Sequence, residues 1–151
     1  MTQTETQPQP LPAATPFVVI AGFGLPGRAL ADLLRQAGVQ FAVIDSNSRT
    51  TGRLCEAMQI VCGDARQAEV LKSAGIERAT LFAAMMPDEN CVLAAVNQVR
   101  QINPAARIVA RCHYTSTGLK AIQGGASDVV VEEQVVAREV ERLICGILGI
   151  S

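Results

Sequence analysis

The stretch Phe17-Val-Val-Ile-Ala-Gly22-Phe23-Gly24-Leu25-Pro26-Gly27-Arg28 passes from a β-branched run through three glycines into Ala-Leu-Ala-Asp-Leu-Leu-Arg35, whose apolar residues recur at helical spacing. Strand, tight turn and helix in that succession give the GxGxxG spacing a mechanism. Gly22 permits the turn, Gly24 leaves room for backbone to approach phosphates, and Gly27 lets the helix lie close to the strand. The N–H groups and the positive dipole end at the helix N-terminus then face an anion. Pro26 suits an early helix position, where its missing donor is least harmful. The whole turn, with Phe23, Leu25 and Arg28, is therefore the expected phosphate-binding element of a Rossmann-type domain.

The same alternation continues outward. Further strands are predicted at 41–44, 59–62, 79–83, 107–110 and 128–131, each followed by a helical segment. Continuous apolar strands separated by helices imply an α/β fold with a parallel sheet covered on both faces. Six strands with right-handed crossovers give a doubly wound sheet of order 3-2-1-4-5-6. Gly38 falls where the first helix would be capped, and Asp88 opens a helix that must stop before Pro104. Residues 132–148 form an amphipathic helix carrying Val136, Val140, Leu143 and Ile147 on one stripe, widened by Ile144 and Leu148. Two readings stay open for that stripe: packing back on the sheet, or a subunit or partner interface.

Composition sets the limits. The chain has 151 residues, 49% hydrophobic and 18% charged, which suits one compact domain. The net charge of -1 and the scattered Lys and Arg give no basic stripe, so nucleic acid is not an expected partner. Residues 1–16, rich in Thr, Gln and Pro, read as a disordered leader rather than a signal peptide, leaving 17–131 as the nucleotide-binding domain and 132–151 as its terminal helix. No apolar run reaches the roughly 20 residues that span a bilayer. Five cysteines, at 55, 62, 91, 112 and 145, form no CxxC pair and fit a reducing, cytosolic compartment. Each is expected to be a small buried hydrophobe.

Asp45 ends the second strand, about twenty residues past the turn, where a carboxylate accepts hydrogen bonds from both ribose hydroxyls and repels a 2′-phosphate. NADP is thereby disfavoured, although Arg49 and Arg53 stand nearby. Ser46 follows Asp45 on the same edge. Cys62-Gly63-Asp64-Ala65 follows the third strand, with Asp64 and Ala65 edging the adenine pocket; Asp64 alternatively caps the next helix. Met85 and Met86, after the fourth strand, line the cleft or the core. The lone His113 has no catalytic partner in the pattern and takes a surface or interface role.

Taken together, VVIAGFGLPGRALADLL, FAVIDSN, VCGDARQAEVLKSAGIERATLFAAMMPDEN and IVARCHYTSTGLKAIQGGASDVVV resemble the N-terminal nucleotide-binding domain of the RCK or Trk-type regulators of potassium channels, transporters and Kef-type antiporters. The resemblance runs from Phe17 to Val131. It implies a non-enzymatic regulatory domain that binds AMP, ADP, ATP or NAD(H), pairs into a homodimer, and passes its nucleotide state to a membrane-embedded potassium channel, transporter or antiporter. By position, Gly22, Gly24 and Gly27 would hold phosphates, Asp45 the ribose, and Asp64 with Ala65 the adenine; the helix at 132–148 would form the dimer. Many relatives place Arg where this chain has Leu25, which favours AMP or NAD(H) over ATP. The setting implied is cytoplasmic, at the inner face of the membrane. The cofactor-binding part of an NAD-dependent oxidoreductase is the alternative.

Overall fold

The computed structural model describes residues 7–11, 15–47 and 58–151. The leader expected at 1–16 lies partly outside the described residues; 7–11 have neither helix nor strand. Arg49, Arg53, Cys55 and the helical segment expected after the second strand also lie outside them.

The elements follow the alternation read from the sequence: β1 (Phe17–Ala21), α1 (Leu25–Gln36), β2 (Gln40–Asp45), β3 (Gln59–Cys62), α2 (Ala68–Ser73), a 3-10 turn (Ile76–Arg78), β4 (Leu81–Ala84), α3 (Glu89–Ile102), β5 (Arg107–Cys112), α4 (Thr115–Gln123), β6 (Asp128–Val131) and α5 (Glu132–Leu148). The six strands form one parallel sheet in the order β3-β2-β1-β4-β5-β6. β4 starts two residues later than predicted. Ala79 closes the preceding 3-10 turn, and Thr80 is drawn to β1, its N–H and hydroxyl both bonding the Phe17 carbonyl.

Helix boundaries follow local chemistry. Asp88 caps α3 by accepting the N–H groups of Asn90 and Cys91, and the helix ends at Ile102, before Pro104. Gly38 follows α1 as expected, with its N–H on the Arg35 carbonyl.

Alternation along each strand divides the core in two. Val19, Ala21, Ile44, Phe82, Ala84, Ile108 and Ala110 face α2, α3 and α4, whose Leu71, Val92, Val96, Val99 and Ala121 complete the larger cluster. On the opposite face Val18, Ile20 and Val43 cluster with Phe23 and with Leu30, Ala31 and Leu34 of α1, and Met58, Ile60, Leu81 and Met85 pack against them. The expectation of a sheet covered on both faces is therefore met only in part. Among the described residues, β5 and β6 have no helix over their α1-side face, where Arg107, Val109 and Arg111 are half-buried and Val130 is exposed. Arg107 pairs with Asp128 there at 2.8 Å, and the carboxylate holds the guanidinium above its ordinary value.

α5 leaves β6 without burying any residue of its own. Val136, Val140, Leu143 and Ile147 are 53–69% exposed. Of the two readings for this stripe, packing back on the sheet is not what the described chain shows, since α5 buries none of its residues there.

Candidate functional site

β1 is central and its neighbours diverge: β2 and β3 lie on one side, β4 to β6 on the other. At such a reversal the loops after adjacent strands separate and leave a crevice at the carboxyl ends. Backbone hydrogen bonds fix its walls. The Gly22 N–H reaches the Ile44 carbonyl (2.8 Å), the Met85 N–H the Ala21 carbonyl (2.7 Å), and the Gly63 N–H the Asp45 carbonyl (3.1 Å). The resulting cleft of about 580 Å³ falls in the size range of small-molecule sites.

Two glycines are demanded by the turn itself. Gly22 has a φ of 97°, and a Cβ there would stand 2.8 Å from the Met86 nitrogen. A Cβ on Gly27 would lie 1.9 Å from the Gly22 carbonyl oxygen, so α1 passes against the turn with no room for a methyl group. Gly24 differs: it has ordinary φ, nothing within 4 Å of its virtual Cβ, and is among the residues that line the cleft. α1 begins at Leu25 with Pro26 in its first turn, and its first N–H groups lack intrahelical acceptors.

Gly22, Phe23, Gly24, Arg28, Asp45, Ser46, Asp64 and Ala65, all expected site residues, line this one cleft. Leu25, Pro26, Gly27 and Met85 do not. Leu25 is 84% exposed beside the opening, and Gly27 lies beneath the turn. Met85 belongs to the α1-side cluster, because odd-numbered residues of β4 and its extension face α1; Met86, one residue on, lines the cleft.

Asp45, expected at the ribose, is engaged by the chain's own backbone. Its Oδ2 accepts the Phe23 N–H at 2.8 Å and its Oδ1 the Asn47 N–H at 2.7 Å, so the carboxylate ties the glycine turn to the end of β2. Asp64 does not cap α2. It accepts the Arg66 backbone N–H at 2.9 Å and grips the guanidinium of Arg66 through both oxygens, which holds the carboxyl below its ordinary value. Arg66, Asn47, Pro87, Asp88 and Cys91 also line the cleft and were missed from sequence. The Asp64/Arg66 spacing was the available signal for one of them. Arg28 lies over Phe23, 5.3 Å from the ring, with its Nε on the Phe23 carbonyl. The cleft is thus lined by two guanidiniums (Arg28 and Arg66), three carboxylates (Asp45, Asp64 and Asp88), a run of glycine backbone and the apolar side chains of Ile44, Ala65 and Met86.

Behind the cleft, His113 and Arg111 converge on Glu132, at 2.5 Å each. Arg111 first, with His113, holds the Glu132 carboxyl below its ordinary value against the effect of burial. The cysteines depart from expectation. Cys112 is buried, and burial pushes its thiol up, but Cys62 is exposed and Cys91 and Cys145 are intermediate.

A Rossmann-type sheet with a glycine turn, a carboxylate at the end of β2 and a crevice at the strand reversal defines a nucleotide-binding class of domain. Residues 18–132 match the TrkA-N domain, and the chain belongs to that family. Among curated proteins it is 28% identical over 137 residues to the glutathione-regulated potassium-efflux system protein KefC of Klebsiella pneumoniae, covering 90% of this chain and 22% of that protein. The chain thus spans about a fifth of that relative's length. Among solved structures, the TrkA-N domain of inner membrane protein ybaL from Escherichia coli superposes with a TM-score of 0.82 at 26% identity, covering 87% of this chain and 98% of that one. GsuK bound to ADP superposes at 0.75 with 28% identity, covering 85% and 34%.

Proposed function

We propose that this chain is a cytoplasmic regulatory domain that binds an adenine nucleotide and controls potassium movement through a membrane-embedded channel, transporter or antiporter, in trans or as part of the same polypeptide. The observation that carries the reading is the gathering of the open face of Gly24, the Asp45 carboxylate and the Asp64–Arg66 edge into one cleft. Residues 17–131 form the nucleotide unit and 132–151 the interface helix. Kinship with a potassium-efflux protein and with an ADP-bound neighbour supports the ligand class and the membrane partner.

Within the nucleotides, AMP or NAD(H) is preferred over ADP or ATP. Leu25 supplies no cation inside the turn, and Arg28 is turned toward Phe23. No nucleic acid is expected. The domain senses rather than catalyses, a reading supported by its kinship with a potassium-efflux protein. The exposed apolar stripe of α5 is assigned to a homodimer, since four large side chains in water on one helix face favour self-association. Regulation then requires that nucleotide binds two dimer arrangements with different affinity. The test is potassium flux through the partner at varied AMP, ATP and NADH; flux that ignores all three removes the reading.

A further inference from the structure

His113 is the one histidine of the sequence, and it stands between two acceptors. Its Nδ1 is 2.5 Å from Glu132 Oε2, and its Nε2 is 2.6 Å from the carbonyl oxygen of Pro87. A carbonyl oxygen only accepts, and so does an ionised carboxylate, so both contacts are satisfied together only when both ring nitrogens carry hydrogens. That is the imidazolium. A neutral ring keeps one contact and turns a lone pair toward oxygen at the other.

The two acceptors belong to different parts of the molecule. Pro87 lines the cleft between Met86 and Asp88, and Glu132 is the first residue of α5. Arg111 reinforces the same span, with Nε 2.5 Å from Glu132 Oε1 and Nη1 donating to the Met85 carbonyl at 3.2 Å. We propose that His113 is a proton-operated clasp, which fastens the lip of the cleft at residues 86–88 to the start of α5 when protonated and, on losing its proton, gives up one of its two contacts and leaves Arg111 alone across the span.

The surroundings favour the closed form. Glu132 faces the ring from α5, and Glu89 of α3 accepts the His113 backbone N–H at 2.9 Å. Burial alone would raise Glu89, but hydrogen bonds from Thr117, His113 and Tyr114 keep it low and charged. Among the described residues, Arg111 is the cation paired with Glu132 besides the histidine. The Tyr114 ring lies 6.3 Å away, Cys112 is held as a thiol, and Glu133 is occupied by Thr115. The Pro87 carbonyl first, then Glu132, raise the imidazole above its ordinary 6.5. A raised value means that the clasp is complete below pH 6.5 and opens as pH climbs through that raised value. Its link to nucleotide rests on the proposed reading of the cleft: a ligand that orders the lip favours one protonation state, and the proton must then alter ligand affinity by the same factor.

With a single histidine, the imidazole Cε1–H resonance of the whole chain reports this residue alone. The expected midpoint lies above 6.5 and falls toward it in Glu132→Gln. Amide signals of Met86 and Asp88, which flank Pro87, and of the first turn of α5 should move with the same midpoint, and lose that dependence in His113→Gln. A wild-type midpoint at or below 6.5, or lip and helix amides indifferent to the histidine's titration, overturns the clasp without recourse to either variant. Added AMP should shift the midpoint, and its Kd should change across the same pH window. AMP binding that leaves the midpoint unmoved severs the clasp from the cleft; no AMP binding at all removes the nucleotide reading, while the titration still decides the clasp.

Discussion

Replacing Gly27 with alanine should unseat α1, whereas the same change at Gly24 should barely affect folding. The Cβ introduced by Gly27→Ala would start 1.9 Å from the Gly22 carbonyl oxygen, where ordinary contact begins near 3.4 Å. About 1.5 Å must therefore open, and the obstacle is backbone in a turn whose own φ is 97°, so neither side yields by a rotamer change. Moving α1 outward loosens Leu30, Ala31 and Leu34 from Val18, Ile20 and Val43, the body of the smaller core cluster. Overpacking of this kind costs typically about 1–3 kcal/mol, and a backbone clash places it near about 3. At roughly 2–4 °C per kcal/mol for a chain of this size, Tm should fall by about 6–12 °C. Gly24→Ala adds a methyl group with no atom within 4 Å and loses only the helix-capping preference for glycine, about 0.5–1 kcal/mol. Differential scanning calorimetry of both variants decides the matter. A Gly27→Ala protein melting within about 2 °C of wild type, or a Gly24→Ala protein melting lower than Gly27→Ala, would refute the packing argument.

Asp45→Ala should cost stability as well as affinity, about 1–2 kcal/mol for the lost N–H acceptors of Phe23 and Asn47, together with a drop of about tenfold or more in AMP binding; wild-type affinity in calorimetry would remove Asp45 from the ribose site. Val140→Glu combined with Leu143→Glu should leave the melting temperature nearly unchanged, since both side chains are exposed, and should shift sedimentation from dimer to monomer; a monomeric wild type would contradict the role given to α5. Glu132 is held below its ordinary 4.5 by Arg111 and then His113. A depressed carboxyl stabilises above that value and loses the contribution as pH falls through the folded one, so urea midpoints of wild type and Glu132→Gln should converge in acid.

Much of the fold was legible because each local signal agreed with its neighbour. The β-branched runs, the glycine turn before Leu25–Gln36, the Asp88 cap and the stop before Pro104 all favour one parallel sheet, and its strand order followed. Sequence also gathered Gly22, Phe23, Gly24, Asp45, Asp64 and Ala65 at one end of that sheet. It did not separate Met85 from Met86, because their facing depends on the phase of β4, and the start of that strand was set by Thr80 bonding across to Phe17. The partner of Asp64 was equally hidden: an Asx-type turn and a helix cap draw on the same residue type, and only the geometry after β3 gives the carboxylate to Arg66. Nor could the apolar stripe of α5 reveal its partner, since a helix packed on a sheet and one packed on a second copy repeat at almost the same period. The α1-side face of β5 and β6, over which the described residues place no helix, did leave a signal in the sequence. Arg107 and Arg111 are the polar members of an alternating strand, and that alternation is the mark of a face without a helix over it.

The central claim is that the cleft at the end of β1 holds an adenine nucleotide against the open side of Gly24. Its most direct test is calorimetric titration of AMP and NADH into nucleotide-stripped wild type and Gly24→Val. Saturable binding in the wild type, lost in a variant that still melts cooperatively, is the predicted result; no binding of AMP, NADH, ADP or ATP to folded wild type, or equal binding to the variant, would contradict it.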